Sequence, residues 1–422
     1  MSGRIALTTI VRGAGVDVPA GWLRVLSTDT WEQLAMVPLP DAVHRALDTN
    51  PRGGLRGGRG IASTPDRLAV AINDRVLLLD RDWRLERVLS HPWMGGLHDI
   101  AADADGLWAS CADNDLVLRI DWEGRLRDTW HWRADRSMRR ALGFRWLPAF
   151  DRSIDYRNPV APGLRVDVGH VNAVAVDDDA VLVGLGLVRV PMPLLWPAIR
   201  ESGVRLATRV GLGGVANRVI GVWRRSPGAR MTARRPSINL TFVMPGQRPI
   251  DTAGPGEPGW TWAVAELRRG AGGRLRSRLL ARHPAGAVPS HTLIPADDLL
   301  VVNESARARV VALERATGAI ARSVELPGEY PFPRGLLRLD DGRFVVGRQS
   351  PAALQVVDLA AERVDEQIEL PDDRGESPYA IAHVPEGFGD PSRLPRTRAE
   401  WGIPGADVCA FAASQRLAAA TS

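Results

Sequence analysis

Four short apolar strands recur about every forty residues along this chain, and that period constrains the fold more than any other feature. The unit is clearest at 98–128. His98-Asp-Ile-Ala-Ala-Asp103 reads as one strand and Ala104-Asp105-Gly106 as a turn. Leu107 to Cys111 is a second strand, Leu116 to Asp121 a third, and Arg125 to Trp130 a fourth after Glu123-Gly124. The same order returns at 59–89, 291–326 and 334–370. A strand of five or six residues cannot bury its apolar side alone, so such units must stack. Four-stranded units of this length arranged around an axis are the blades of a β-propeller.

Aligning the first apolar residue of each inner strand gives Ile61, Ile100, Val174, Leu293, Leu336 and Ile381, at intervals of 39, 74, 119, 43 and 45 residues. Two intervals therefore carry insertions, 131–168 and 189–259, expected as lids on one face. The last inner strand, Tyr379 to Val384, has too little strand-like sequence after it to finish a blade. Arg4 to Val11, Gly21 to Ser27 and Trp31 to Val37 supply the missing outer strands. The expectation is an all-β, six- or seven-bladed propeller closed by strands from both chain ends, which removes the exposed sheet edge. A seventh blade requires Ile238 to Val243 to begin one. Residues 1–390 form the propeller and 391–422 a C-terminal tail.

The 54 basic side chains are all arginine, against 49 acidic ones and a net charge of +5. Without lysine there is no Schiff base, no P-loop lysine and no pyridoxal phosphate attachment. Gly-x-Ser-x-Gly, His-Glu-x-x-His and Walker sequences are also absent. Gly211-Leu-Gly213-Gly-Val-Ala216 lacks the strand–helix setting and the later acidic residue of a dinucleotide site. The densest basic run, Arg224 to Arg235, has no interleaved aromatics and reads as a solvated loop, so no nucleic-acid partner is expected. The two cysteines, Cys111 and Cys409, make no disulfide framework, and Cys111 reads as a small core residue. The most apolar stretch, 181–199, is broken by Arg189, Pro191, Pro193 and Pro197 and is not a membrane span. Met1 to Gly13 lacks an apolar leader core, so a cytoplasmic location is the expectation.

The blade at 98–124 carries apolar-Ala-x-Asp, Asp105-Gly106, Asn114, Val117-Leu-Arg-Ile-Asp121 and Gly124. In this it resembles the NHL and SMP-30-like group of propellers. A looser resemblance, through His170-Val-Asn172, Pro289-Ser-His291-Thr and Pro333-Arg334-Gly335, is to bacterial propellers of unassigned role. The first resemblance implies a six-bladed ring and, in its enzyme members, a divalent metal on carboxylate and Asn ligands. That carboxylate set has no clear counterpart here.

The register points to a site. Two residues before the aligned positions lie Arg59, His98, Asn172, His291, Arg334 and Tyr379, all on the rim of one face of the channel. Arg59 and Arg334 could fork onto a carboxylate or phosphate. His98 or His291 would act as general acid or base, with Tyr379 a donor to developing negative charge. The ends of the second strands return to this face with Asn114, Asn303, Glu304 and Arg348. Glu304 is the carboxylate candidate for acid–base work, and Asn172, Arg348 and Asn303 join Arg59 and Arg334 as ligand-binding candidates. Two competing readings stay open: side chains that merely plug the channel mouth, and a divalent-metal site on His98, His170 and His291. The 131–168 insertion carries Trp132, Phe144, Trp146, Phe150 and Tyr156, and 193–210 could form an amphipathic helix. The expected function is a non-redox, cofactor-free small-molecule enzyme of lyase, cyclase, isomerase or hydrolase type acting on an anionic or aromatic metabolite. The alternative is a non-catalytic propeller that binds a ligand or protein on the same face.

Overall fold

The computed structural model describes residues 3–48, 55, 57–144, 147, 150–161, 167–189, 260–270, 272–285, 288–371 and 375–403. They form six four-stranded antiparallel sheets arranged as a β-propeller. The first blade is Ile61–Thr64, Arg67–Ala71, Val76–Leu79 and Leu85–Leu89. The second is Leu97–Asp103, Gly106–Cys111, Leu116–Asp121 and Leu126–His131. The fourth runs from His291–Ala296 to Ile320–Glu325 and the fifth from Arg334–Arg338 to Arg363–Glu369. The third joins Val171–Asp177 and Ala180–Arg189 to Trp260–Arg269 and Leu275–Pro284. The 119-residue interval is thus one blade with its insertion between the second and third strands. Residues 190–259, including Ile238 to Val243 and the stretch 193–210, lie outside the described residues.

Each blade grades from a buried interior to a polar edge. The second strands are the most buried, and Gly106–Cys111 and Phe344–Arg348 are buried at every position. The fourth strands are half-buried to exposed; in Arg363–Glu369 only Val364 and Ile368 are partly covered and the polar residues are exposed. Charged outer strands discourage edge-to-edge pairing with another molecule. Six apolar cores fill the six blade interfaces among the described residues. Cys111 lies wholly inside the core between the first and second blades. Side chains stitch neighbouring blades at the channel side: Thr8 Oγ1 donates to Arg59 O (2.5 Å), Asn172 Nδ2 to Ser290 O (2.5 Å) and Asn303 Nδ2 to Gly335 O (2.9 Å).

The sixth blade closes the ring with both ends of the chain. Its inner strand is Glu376–His383, and its outer three are Arg4–Val11, Trp22–Ser27 and Gln33–Pro38. Ile5 to Val11 pairs antiparallel with Glu376 to His383. Behind this ladder Arg24 meets Glu376 through two bonds, Nε to Oε2 at 3.2 Å and Nη2 to Oε1 at 3.0 Å, and Thr9 Oγ1 donates to the same carboxylate at 2.9 Å. Both charged residues are almost completely buried. Beyond the inner strand the chain runs back over the closing and first blades, where Phe388, Leu394 and Trp401 are buried.

The described part of the first insertion packs down on the blades. Asp135 caps the short helix Arg136–Ala141 by accepting from the backbone of Ser137 and Met138. Trp132, Met138, Leu142 and Phe144 join the core between the second and third blades. Phe150 stacks on Tyr156 and meets Trp93 edge-on. These aromatics complete the scaffold; Trp146 lies outside the described residues. Among the described residues no helix is long and apolar enough to cross a membrane.

Glu376→Ala removes the carboxylate from the buried Arg24 guanidinium in the closing blade and leaves it only the neutral acceptors Gln33 Oε1 and Pro371 O. Removing one partner of a buried pair costs about 3–5 kcal/mol, whereas Glu86→Ala at the half-exposed Arg67–Glu86 pair costs under about 1 kcal/mol. Urea unfolding of the two variants measures the contrast.

Candidate functional site

Inner strands begin with a defect. The ladder slips between Leu97 and Asp99, Val171 and Ala173, His291 and Leu293, Arg334 and Leu336, and Pro378 and Ala380. The residues left over are His98, Asn172, Thr292, Gly335 and Tyr379. A bulge re-aims side chains that a regular strand would send into the neighbouring blade. Gly335 shows why one blade needs glycine there: its φ is +68°, and a Cβ would sit 3.2 Å from Tyr379 O and 3.0 Å from Ile381 Cγ1.

The rim residues converge on Tyr379. Arg59 Nη1 donates to its hydroxyl at 2.9 Å, and the hydroxyl is also hydrogen-bonded to His98 Nδ1. A guanidinium can only donate, so the Tyr379 hydroxyl oxygen accepts from Arg59. Arg59 Nη2 is anchored on Asn73 Oδ1 at 3.0 Å. The His98 ring centroid lies 4.7 Å from His170, 6.3 Å from His291 and 6.0 Å from Tyr379, stacked on the last.

Guanidiniums and aromatic rings alternate beside this centre. Arg12 lies over Phe332 (5.8 Å from guanidinium carbon to centroid), Arg334 over Phe332 (5.0 Å) and over Tyr379 (4.6 Å), and Arg59 over Tyr379 (5.1 Å). Ring faces offset part of the cost of desolvating cations. They do not satisfy the N–H groups. Arg334 Nε and Nη1 are buried with no hydrogen-bond partner among the described residues. Burial, reinforced by Arg12 and Arg59, brings the Arg334 guanidinium down to about 9.

His291 completes the set. Ser305 Oγ donates to Pro333 O at 2.7 Å, so it must accept from His291 Nδ1 at 2.8 Å. That leaves Nε2 as the bare nitrogen, buried and unpartnered among the described residues. The His291 ring lies 5.3 Å from Phe332, the ring that also carries Arg334. Burial first, then the cations around them, holds both His98 and His291 well below the ordinary imidazole range.

Arg59, His98, His170, His291, Arg334 and Tyr379 are therefore brought together. Asn172 and Asn303 are used between blades, as described above, and Asn114 Nδ2 bonds Trp93 O. Glu304 stands apart: it accepts from Trp262 Nε1 at 3.1 Å and pairs with Arg309 at 2.5 Å, not with Arg334 or Arg348. Arg348 bonds Pro351 O, Gln367 and Glu369 within its own blade. Among the described residues no group of three or more His, Cys, Asp or Glu side chains could hold a metal ion. The three histidines sit where guanidiniums already supply positive charge. Sequence reading missed Arg12, Asn73, Asp167, Ser305 and Phe332. Phe332 had a signal, two residues before Arg334, and so did Asp167, at turn spacing before His170.

No family model matches the chain, and no curated protein matches it. Among solved structures it is similar to one from a nidogen/laminin complex (8% identity, TM-score 0.49, covering 90% of this chain and 98% of that one). It is also similar to a Bacteroides caccae protein of unknown function (10%, TM-score 0.45, 92% and 100%) and to a streptogramin B lyase (9%, TM-score 0.41, 80% and 72%). Likeness of this order says nothing about the site, and the propeller is read from this chain's own strand pairing.

The depressed histidines predict acid sensitivity. Below about pH 6.5 the unfolded chain takes up protons that folded His98 and His291 do not. Stability is therefore present above that pH and falls below it by about 1.4 kcal/mol per pH unit for each histidine. Asp99, raised by burial to about 8, acts in the opposite sense, its cost growing as pH rises from about 4. Unfolding free energies of wild type and of His98→Gln/His291→Gln between pH 5 and 7 isolate the histidine slope, which the double variant should lose.

Proposed function

We propose that the channel mouth binds a small organic anion and carries out acid–base chemistry on it, in the manner of a cofactor-free lyase, cyclase, isomerase or hydrolase. One observation supports the reading. Arg334 presents buried N–H donors, and His291 presents a buried lone pair, on the same Phe332 ring, with neither satisfied among the described residues. Unsatisfied buried groups cost roughly 1–3 kcal/mol each, more when charged, so a ligand that satisfies both gains what the empty protein lacks. Its chemistry follows: an anionic acceptor for Arg334 and an adjacent O–H or N–H for His291 Nε2.

Such a ligand places its proton on a neutral imidazole, the starting arrangement for general-base catalysis. Arg334 neutralises the anion, and Arg59, held on Tyr379 and Asn73, adds positive charge beside it that favours negative charge developing during the reaction. A binding propeller would need the guanidinium; the bare His291 nitrogen favours chemistry. Kinship with the NHL and SMP-30-like group, carried by the motif at 98–124, belongs to the same proposal, as does a cytoplasmic setting.

Two measurements test it. Calorimetric titration should show sulfate binding that Arg334→Met abolishes, with unfolding free energy unchanged or increased because an unpaired buried cation is gone. Glycolate, which adds a hydroxyl to acetate, should bind about tenfold tighter than acetate, the equivalent of about 1.4 kcal/mol for one good hydrogen bond. His291→Ala should remove that preference. Unchanged sulfate affinity in Arg334→Met, or a glycolate preference that survives His291→Ala, contradicts the reading.

A further inference from the structure

The blade that carries His291 also holds the segment that carries Arg334. His291 stands opposite Asn303 in the ladder of the fourth blade, and opposed residues of an antiparallel pair put their side chains on one face. Three side chains of this blade reach the fifth. Ser305 Oγ donates to Pro333 O at 2.7 Å, Asn303 Nδ2 donates to Gly335 O at 2.9 Å, and Gly335 N donates to Thr292 Oγ1 at 3.3 Å. Arg334 sits between the two residues so held. The last of these contacts joins two bulges, with Thr292 at φ 46° and Gly335 at φ 68°, both left-handed. A β-branched residue keeps that conformation only where its surroundings impose it, and here it sets a hydroxyl against the Gly335 N–H.

Ser305 has a second partner. Its hydroxyl carries one proton, and a carbonyl can only accept, so that proton goes to Pro333 O. The oxygen is left to accept from His291 Nδ1 at 2.8 Å. Which ring nitrogen of a histidine is protonated is set by the bond the other makes. With Nδ1–H engaged, the lone pair lies on Nε2, the atom buried with no hydrogen-bond partner among the described residues. Ser305 is itself buried and opens the short turn Ser305–Arg307. It follows Glu304, whose carboxylate is fixed by Trp262 and Arg309. Glu304 thus anchors the strand end from which Ser305 reaches the ring.

We propose that Ser305 is the positioning residue of the channel mouth: its hydroxyl selects the His291 tautomer that presents Nε2 to the ligand and, through Pro333 O, ties that base to the strand carrying Arg334. The assignment rests on the acid–base reading above and deepens it. In the reaction a proton moves from an O–H or N–H of the bound anion to His291 Nε2 and is later given up to product or solvent. The imidazolium formed in between keeps its Nδ1–H on Ser305, so the hydroxyl serves both protonation states without turning. Asn303 and Thr292 hold Gly335 independently of Ser305. Loss of the Ser305 hydroxyl therefore releases the ring before it releases Arg334.

Long-range ¹⁵N–¹H correlation of histidine-labelled protein at pH 7 reads the tautomer without a ligand. Burial, with the cations around it, holds His291 well below the ordinary imidazole range, so the ring is neutral there, and His291→Gln identifies its signals. Wild type should carry the proton on Nδ1 and show a bare Nε2. Ser305→Ala should lose that single pattern, and Ser305→Thr, which keeps the hydroxyl, should restore it. In titration calorimetry Ser305→Ala should lose the about tenfold preference for glycolate over acetate while its sulfate affinity stays within about twofold of wild type. General loosening of the blade would lower both affinities. A wild-type His291 protonated on Nε2 overturns the proposal, as does an Nδ1–H pattern that survives Ser305→Ala, or a parallel fall of sulfate and glycolate affinity in that variant. The underlying reading fails separately: a wild type that binds neither sulfate nor glycolate sinks the anion site, while the His291 tautomer in wild type and Ser305→Ala still decides whether Ser305 sets the ring.

Discussion

The pairing of the first strand with the last holds this molecule together. A propeller blade presents apolar surface on both faces, so each interface core needs a neighbour on either side, and an open ring would leave two faces in water. Ile5 to Val11 on Glu376 to His383 closes the ring with backbone hydrogen bonds, and Glu376 receives Arg24 and Thr9 behind the ladder. A buried ion pair stabilises little in net terms. It does make register costly to change: a one-residue slip would carry Glu376 to the other face and leave the buried Arg24 without its carboxylate. Closure is thus specified by charge as well as by apolar burial.

The same seam builds the site. Tyr379 belongs to the last strand in sequence, yet it bonds Arg59 of the first blade and His98 of the second and lies under Arg334 of the fifth. No pair of adjacent segments contains these groups. Only a closed ring brings them within contact, so the channel chemistry and the fold share one requirement. The bulges at the inner-strand starts leave His98 and Tyr379 outside the strand ladders and bring them together, with Tyr379 also packed on the core between the closing and first blades.

How much of this was readable beforehand differs residue by residue. Five of the side chains gathered at the rim, Arg59, His98, His291, Arg334 and Tyr379, follow from aligning repeats, because periodicity carries the start of each inner strand; the alignment also gives Asn172, which is used between blades, while His170 lies two residues off that register. Glu304 illustrates the limit. Its position after a buried strand looks like that of a catalytic acid, but whether a carboxylate at a strand end meets a histidine or an arginine depends on the adjoining strand, and Arg309 and Trp262 take it. Arg348 likewise turns to Glu369 in its own blade. The aromatic-rich insertion shows the same limit in apolar form: Trp132 and Phe144 suit a lid and a core equally by composition, and the gap between the second and third blades claims them.

By itself the sequence determined the repeat, the strand order within each blade, and the need for both termini to complete a ring, because those follow from periodicity and short-range turn chemistry. It also determined which mechanisms are closed to a chain without lysine. What tertiary structure alone decided is protonation and partnership. Whether an imidazole faces a guanidinium, a hydroxyl or a backbone group depends on contacts between blades tens to hundreds of residues apart, and such contacts set His98 and His291 among cations that hold both neutral.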